Sequence, residues 1–216
     1  MNLSIILGQL LGGFGKTLLV FVLTLVFSLP LGFAVCAGRR CRFAPVSFLF
    51  RLLISVLRGT PLMLQLLVIC YGPYYLFRIK LPTGWTFTAL ILGFVINYAA
   101  YFAEIYRGGI ESMPIGQYEA AAVLGYTKAQ TFFKIILPQV VKRVLPSVTN
   151  EIITLVKDTS LSFVLAYAEM FTLAKQIAAA KTTFAPLFIA GVFYFIFNYA
   201  VAFAMEHIEK KLAYYR

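Results

Sequence analysis

The sequence predicts an all-α, polytopic membrane protein with five transmembrane helices. Three observations carry this. Of 216 residues, 61% are hydrophobic and only 12% charged, against about 45–50% apolar and about 25% charged in an ordinary soluble domain. The apolar residues fall into runs long enough to cross a bilayer, which takes about 20 residues as a helix. The Lys and Arg residues sit mostly at the ends of those runs, so the net charge of +11 reads as membrane topology rather than as a nucleic-acid surface. No polar stretch is long enough for a separate soluble domain. The whole chain, 1–216, is read as one transmembrane domain with its core at about 13–207.

Residues 1–15 lack the basic start of a cleaved leader and read as a short amphipathic piece at the interface. The first span is 16–39, where Lys16 and Arg39 bracket 22 uncharged residues. Pro30 lies inside it, which membrane helices tolerate when neighbours satisfy the freed backbone groups. Arg39, Arg40 and Arg42 follow at once and mark a cytoplasmic end.

Residues 46–77 are too long for one straight span and are interrupted at Arg58-Gly59-Thr60-Pro61. Proline suits a helix start and disfavours a helical residue before it. The expectation is a helix to about Leu57, a break, and a helix from Pro61 to about Tyr75. Residues 81–103 form a third span without a charge, closed by Glu104 and Arg107. After the mixed segment 107–143 come a fourth span, 145–168, with Lys157 and Asp158 near its middle, and a fifth, 182–205. The tail 206–216 is basic.

With Arg39–Arg42 inside, the N-terminus is outside and the C-terminus cytoplasmic. Twelve Lys and Arg then fall inside and five outside (Lys16, Arg78, Lys80, Lys175 and Lys181), with Arg58 and Lys157 at membrane depth. This asymmetry puts 107–143 in the cytoplasm.

Within that segment, Pro114-Ile115-Gly116 precedes the strong helix formers 117–124. Glu119 is expected in the first turn, where the helix dipole favours an acid. Gly125 suits a left-handed stop. Thr127 and Gln130 have capping-box spacing for a second helix that runs to Pro138, with Phe132, Phe133, Ile135 and Ile136 as its apolar face. Ala120 and Ala121 leave a smooth surface for close packing. A helix, a glycine elbow and a helix suit a docking element; an ordinary loop bracket is the structural alternative.

Here the sequence resembles a known family. Glu119-Ala120-Ala121, Gly125 and Ile135-Ile136-Leu137-Pro138 resemble the EAA loop of ATP-binding cassette importer permeases, whose coupling helix docks on the ATPase. Gly15-Lys16-Thr17-Leu18, Arg58-Gly59-Thr60-Pro61-Leu62, 103–110 with Gly116-Gln117, and Lys157-Asp158-Thr159-Ser160-Leu161 resemble its polar amino acid branch. Ile115 stands where that branch often has lysine. The resemblance implies the type I importer permease fold in a bacterial cytoplasmic membrane. It also implies two ATPase subunits, a second permease copy (identical or paralogous), a solute-binding protein and a polar amino acid as cargo. Glu119, Ala120, Ala121, Gly125, Ile135, Leu137 and Pro138 are the implied ATPase-coupling residues.

The chain has no GxxxxGK[ST] loop, so ATP and Mg are expected on the partner ATPase and no cofactor here. Arg58 beside a helix start suggests a carboxylate site at membrane depth; snorkelling or pairing with an acid is the alternative. Arg58, Thr60, Glu104, Lys157 and Asp158 are candidates for the substrate path. Lys157 and Asp158 point about 100° apart on a helix and need partners elsewhere, Glu104 being a candidate for Lys157. Cys36, Cys41 and Cys70 lack metal spacing and read as buried, and the single histidine, His207, is unpartnered. A stand-alone channel or carrier and a membrane-embedded enzyme are the competing classes. The short span count argues against the first and the scattered acids against the second.

Overall fold

The computed structural model describes residues 3–212, and every regular element among them is helical. Helix α1 spans Leu3–Arg39, α2 Ala44–Gly59, α3 Leu62–Phe77 and α4 Trp85–Glu111. Helix α5 is Ile115–Val123 and α6 the short turn Lys128–Gln130, which leads through a π-helical turn, Thr131–Ile136, into α7, Leu137–Asp158. A 3-10 segment, Thr159–Leu165, precedes α8, Met170–Lys181, and α9 is Ala185–Leu212.

Helices α1, α4 and α9 are each long and apolar enough to cross a bilayer. Two bent pairs complete the set: α2 with α3, bent by 111°, and residues 128–165 with α8, bent by 55°. Counted as one crossing each, they give the five expected spans.

Helix α4 is the centre of the fold. It packs against α1, α2, α3 and α7, and buries Phe94, Tyr98 and Phe102 almost completely. The approach of α1 is set by Gly32, where a Cβ would lie 2.8 Å from the Phe102 Cβ and 3.1 Å from the Ala99 carbonyl oxygen. Both distances are below ordinary contact, so the two backbones meet only because that side chain is absent. At the edge, α9 leaves Phe188, Phe195, Tyr199 and Phe203 exposed, an apolar face suited to lipid or another membrane helix.

Several boundaries differ from the sequence expectation. Residues 3–15 are no separate interfacial piece. They continue α1, and Ile6 and Leu10 are buried in a cluster with Met170, Ala174 and Ala190. Amphipathic patterning reports burial on one side, and here that side is protein. Residues 1 and 2 lie outside the described residues. Pro61 does not begin α3 but caps it, with extended backbone, and Leu62 is the first helical residue. The third span starts at Trp85, not at residue 81, and runs past Glu104 and Arg107 to Glu111, because those charges pair with one another and do not have to leave the helix.

The second loop helix does not end at Pro138. A proline lacks an N–H and crowds the carbonyl four residues earlier. The π turn widens the helix at that place, and the chain runs on unbroken to Asp158. The fourth span is therefore no separate element at 145–168 but the far end of this helix plus α8. The fifth starts at Ala185 and takes in residues 206–212 of the tail, the remainder lying outside the described residues. Cys36 and Cys70 are buried as expected, whereas Cys41 is exposed.

Candidate functional site

Two regions gather the residues singled out in the sequence. The first is the loop built on α5. Pro114, with extended backbone, starts the helix at Ile115. Glu119 therefore lies in its second turn, not its first. The helix ends as the sequence requires. Gly125 has φ +77°; its N–H donates to the Ala122 carbonyl and that of Tyr126 to the Ala121 carbonyl, both at 3.0 Å. This pair of bonds satisfies the last carbonyls and turns the chain sharply. The Thr127 N–H then donates to Gln130 Oε1 at 2.9 Å, and the Gln130 N–H to Thr127 Oγ1 at 3.2 Å, completing the capping box.

Glu119 and Ala120 are exposed, but Ala121 is buried. The smooth alanine surface is thus half internal: Ala121 seats α5 against its own protein. What the loop offers outward is Glu119, Ala120, Val123 and Leu124, with Ile115 at the start of α5 and Phe133 on the turn behind. Val123 is 88% exposed and Leu124 73%. Ile135 and Leu137 are half-buried, Ile136 is buried and Pro138 is exposed. The sequence did not reveal how α5 is fastened. Gln117 and Gln139 exchange two side-chain amide bonds, and Arg143 donates to the Ser112 carbonyl at 2.7 Å. Both ties join the α4–α5 region to α7.

The second region surrounds the α2–α3 break. The kink frees carbonyls that side chains then satisfy. The Thr60 hydroxyl donates to the Val56 carbonyl at 2.8 Å. Gln65 Nε2 reaches the Leu57 carbonyl at 2.8 Å, and Asn97 Nδ2 from α4 donates to Gln65 Oε1 at 2.9 Å. Thr60 thus serves the kink itself. Neither Gln65 nor Asn97 stood out in sequence, because an uncharged amide within an apolar run carries no pattern.

Arg58 closes α2 with its guanidinium over the Tyr101 ring, 5.1 Å from the centroid. Among the described residues it makes no ion pair. Glu104 pairs with Arg39 and Arg107, not with Lys157. Lys157 is exposed and makes no ion pair among the described residues, because Glu104 on α4 is turned to Arg39 and Arg107 instead. Asp158 accepts from the Tyr98 hydroxyl at 2.7 Å. Arg58 and Glu104 line one cavity of about 420 Å³ together with Arg39, Arg51 and Ser55; Thr60, Lys157 and Asp158 do not line it. Glu151, two turns before Asp158 on the same face of α7, is half-buried within electrostatic reach of Arg58 and Asp158. It was missed because nothing in its local sequence marks it.

One further acid is structural. Glu169 is fully buried. It accepts from the Phe171 and Thr172 N–H groups at 2.8 and 2.7 Å, capping α8, and from the hydroxyls of Thr172, Thr17 and Tyr194 at 2.9, 3.2 and 3.0 Å. It thereby ties α8 to α1 and α9.

Comparison with known proteins agrees with this architecture. Residues 28–214 match the family model for the binding-protein-dependent transport system inner membrane component. The L-cystine transport system permease protein TcyB of Bacillus subtilis is 33% identical over 93% of this chain and 85% of its own. The arginine transport system permease protein ArtQ of the same species is 32% identical over 94% and 92%. The octopine transport system permease protein OccM of Rhizobium radiobacter is 33% identical over 89% and 81%. Among solved structures, an amino acid ABC transporter crystallised with histidines superposes with a TM-score of 0.86 at 30% identity, covering 94% of both chains. The MetNI methionine ABC transporter shares the fold, with a TM-score of 0.72 at 18% identity over 99% of this chain and 100% of that one. In span architecture, loop construction and sequence alike, the chain belongs to the family of binding-protein-dependent transport system inner membrane components.

Proposed function

We propose that this permease subunit imports a polar amino acid or close analogue across the cytoplasmic membrane, taking it from a solute-binding protein and driven by two separate ATPase subunits. A second permease copy, identical or paralogous, closes the path. ATP and Mg belong to the ATPases, and this chain is not catalytic. The N-terminus is outside, and α5 faces the cytoplasm.

The observation that carries this reading is the construction of α5: exposed on its outer side and fastened on its inner side to α7 by Gln117 and Gln139. An ATPase that grips Glu119, Ala120, Val123 and Leu124 moves α7 with it, and Gly125, Ile135, Leu137 and Pro138 set the angle between loop and helix. At the other end of the lever, α7 carries Glu151, Lys157 and Asp158 toward the Arg58 region. Arg58, which makes no ion pair among the described residues, is the group that reads the substrate carboxylate; Glu104 fixes the surrounding arginines and Thr60 holds the kink. The relatives' names (L-cystine, arginine, octopine) share an amino acid's carboxylate as common chemistry.

The test is uptake of labelled amino acids into proteoliposomes that hold the chain with the ATPase and binding protein from neighbouring genes. Uptake that needs ATP and the binding protein is the expected result. Uptake by the chain alone, without an ATPase, establishes a stand-alone carrier instead. For Arg58, Arg58→Gln should erase the preference for a carboxylate over its carboxamide analogue at matched complex levels. An unchanged preference removes Arg58 from substrate reading.

A further inference from the structure

Where α1 ends and α2 begins, a second cavity of about 460 Å³ opens beside the one described above. It is lined by Arg39, Arg40, Cys41, Ser47, Arg51, Arg107 and Glu111. Four guanidinium groups face it. Two are neutralised: Arg39 bonds Glu104, and Arg107 bonds Glu104 and Glu111. Arg40 and Arg51 have no ion pair among the described residues. Clustered guanidiniums in excess of the available carboxylates attract a group with planar or tetrahedral oxygens, which their forks can bind through two bonds at once.

Two neighbouring features narrow the ligand. The first turn of α2 borders the cavity through Ser47, and that helix start has no side-chain cap. Pro45 has no N–H and the Ser47 N–H donates to the Phe43 carbonyl, so this helix start contributes its positive dipole end to the field of the arginines. Ser47 is itself occupied, donating to the Arg39 carbonyl at 2.6 Å, so the site presents N–H donors and no competing acceptor apart from Glu111. Beside the arginines the same stretch exposes Phe43, Phe48, Leu49 and Leu52. A free anion has no use for that apolar rim. A lipid has, because its phosphate lies at the membrane surface and its acyl chains run along the helix below it. Arg39 and Arg40 also stand at the end of a 22-residue uncharged run, where a bilayer surface is expected.

The geometry points to an anionic phospholipid site between α1, α2 and α4, in which Arg40 and Arg51 bind the headgroup phosphate and Phe43, Phe48 and Leu52 line the acyl chains. The site adjoins the Arg58 cavity, with which it shares Arg39 and Arg51. Its function is to anchor the α1–α2 turn against the membrane while the bent α2–α3 pair holds its angle.

The experiment measures lipid selectivity of the purified full-length chain in nanodiscs, with spin-labelled phosphatidylglycerol and phosphatidylcholine as probes. Wild type should prefer phosphatidylglycerol, and Arg40→Gln/Arg51→Gln should lower that preference by about tenfold or more, on the order of severalfold for each charge. Arg40→Lys should retain much of it. Neither arginine gives up an ion pair, so the variant is expected to fold, and its circular dichroism and elution volume check this. Lys210→Gln, which removes another charge near a membrane face, is the control. An equal loss in that variant reduces the effect to general surface charge and overturns the site. So does a wild type with no preference. Displacement of the labelled phosphatidylglycerol by inorganic phosphate, but not by chloride of equal ionic strength, makes the site one for free phosphate and overturns the lipid assignment.

Discussion

Gln117 of α5 and Gln139 of α7 form a reciprocal amide pair: each side-chain nitrogen donates to the other's oxygen, at 2.9 and 3.0 Å. Gln139 also donates to the Ile135 carbonyl in the π turn at 2.8 Å. One side chain thus holds the loop helix and the widened turn together. Replacing either glutamine with alanine should cost about 1 kcal/mol of stability, the usual net value of such bonds. The double variant should cost less than the sum, because the pair is lost only once. Transport should fall much more than stability does, since a loosened α5 no longer moves α7. ATPase activity that loses its response to loaded binding protein, in a complex that still assembles, is the expected result. A fully responsive double variant would show that the clamp does not transmit.

Gly125→Val should have a sharper effect. The backbone there has φ +77°, and a left-handed conformation costs a β-branched residue about 1–2 kcal/mol. No neighbouring atom lies within 4 Å of a Cβ at this position, so the penalty is conformational and not steric. The spans should remain folded while the angle between α5 and α6 changes. Thermal melting would move little, and coupled ATPase stimulation would drop. Gly125→Asn, which tolerates the left-handed region better, should recover part of the loss.

Glu169→Gln should destabilise the protein more than either of these. The carboxylate accepts bonds from five donors on α1, α8 and α9. An amide supplies only one oxygen, and its NH2 group meets N–H and O–H donors. A buried polar group left so mismatched costs about 1–3 kcal/mol. A lowered melting temperature in detergent, with Tyr194→Phe giving a smaller decrease of the same sign, is the expected pattern. An unaltered melting temperature in Glu169→Gln contradicts the tie.

Topology can be read by labelling. In a background lacking Cys36, Cys41 and Cys70, a cysteine at the exposed position Glu119 should resist a membrane-impermeant reagent in intact cells and react in inverted vesicles. A cysteine at Lys80, in the connection between α3 and α4, should show the opposite pattern. Labelling of the Glu119 position from outside reverses the orientation.

The span count, the break at Arg58–Pro61, the glycine stop and the Thr127–Gln130 cap were all legible in the sequence. Each depends on residues close together in the chain: an uncharged run against the thickness of a bilayer, a proline's missing N–H, a glycine's access to positive φ, two side chains three residues apart. The same locality explains what the sequence did not show. Pro138 reads as a helix end, but the structure absorbs it in a π turn because the packing on both sides keeps the helix going. Glu104 and Lys157 suit one another by charge, yet α4 turns Glu104 toward Arg39 on α1, 65 residues away in sequence. Ala121 belongs to a surface motif and is buried, because α5 must rest on something. Partner choice across 22 residues for Gln117 or 152 for Thr17 and Glu169 follows from how helices cross, and that is fixed by close approaches such as Gly32 against Phe102. Local chemistry determined where this chain turns and which segments enter the membrane. Only the crossing of the helices decided which buried polar groups found one another.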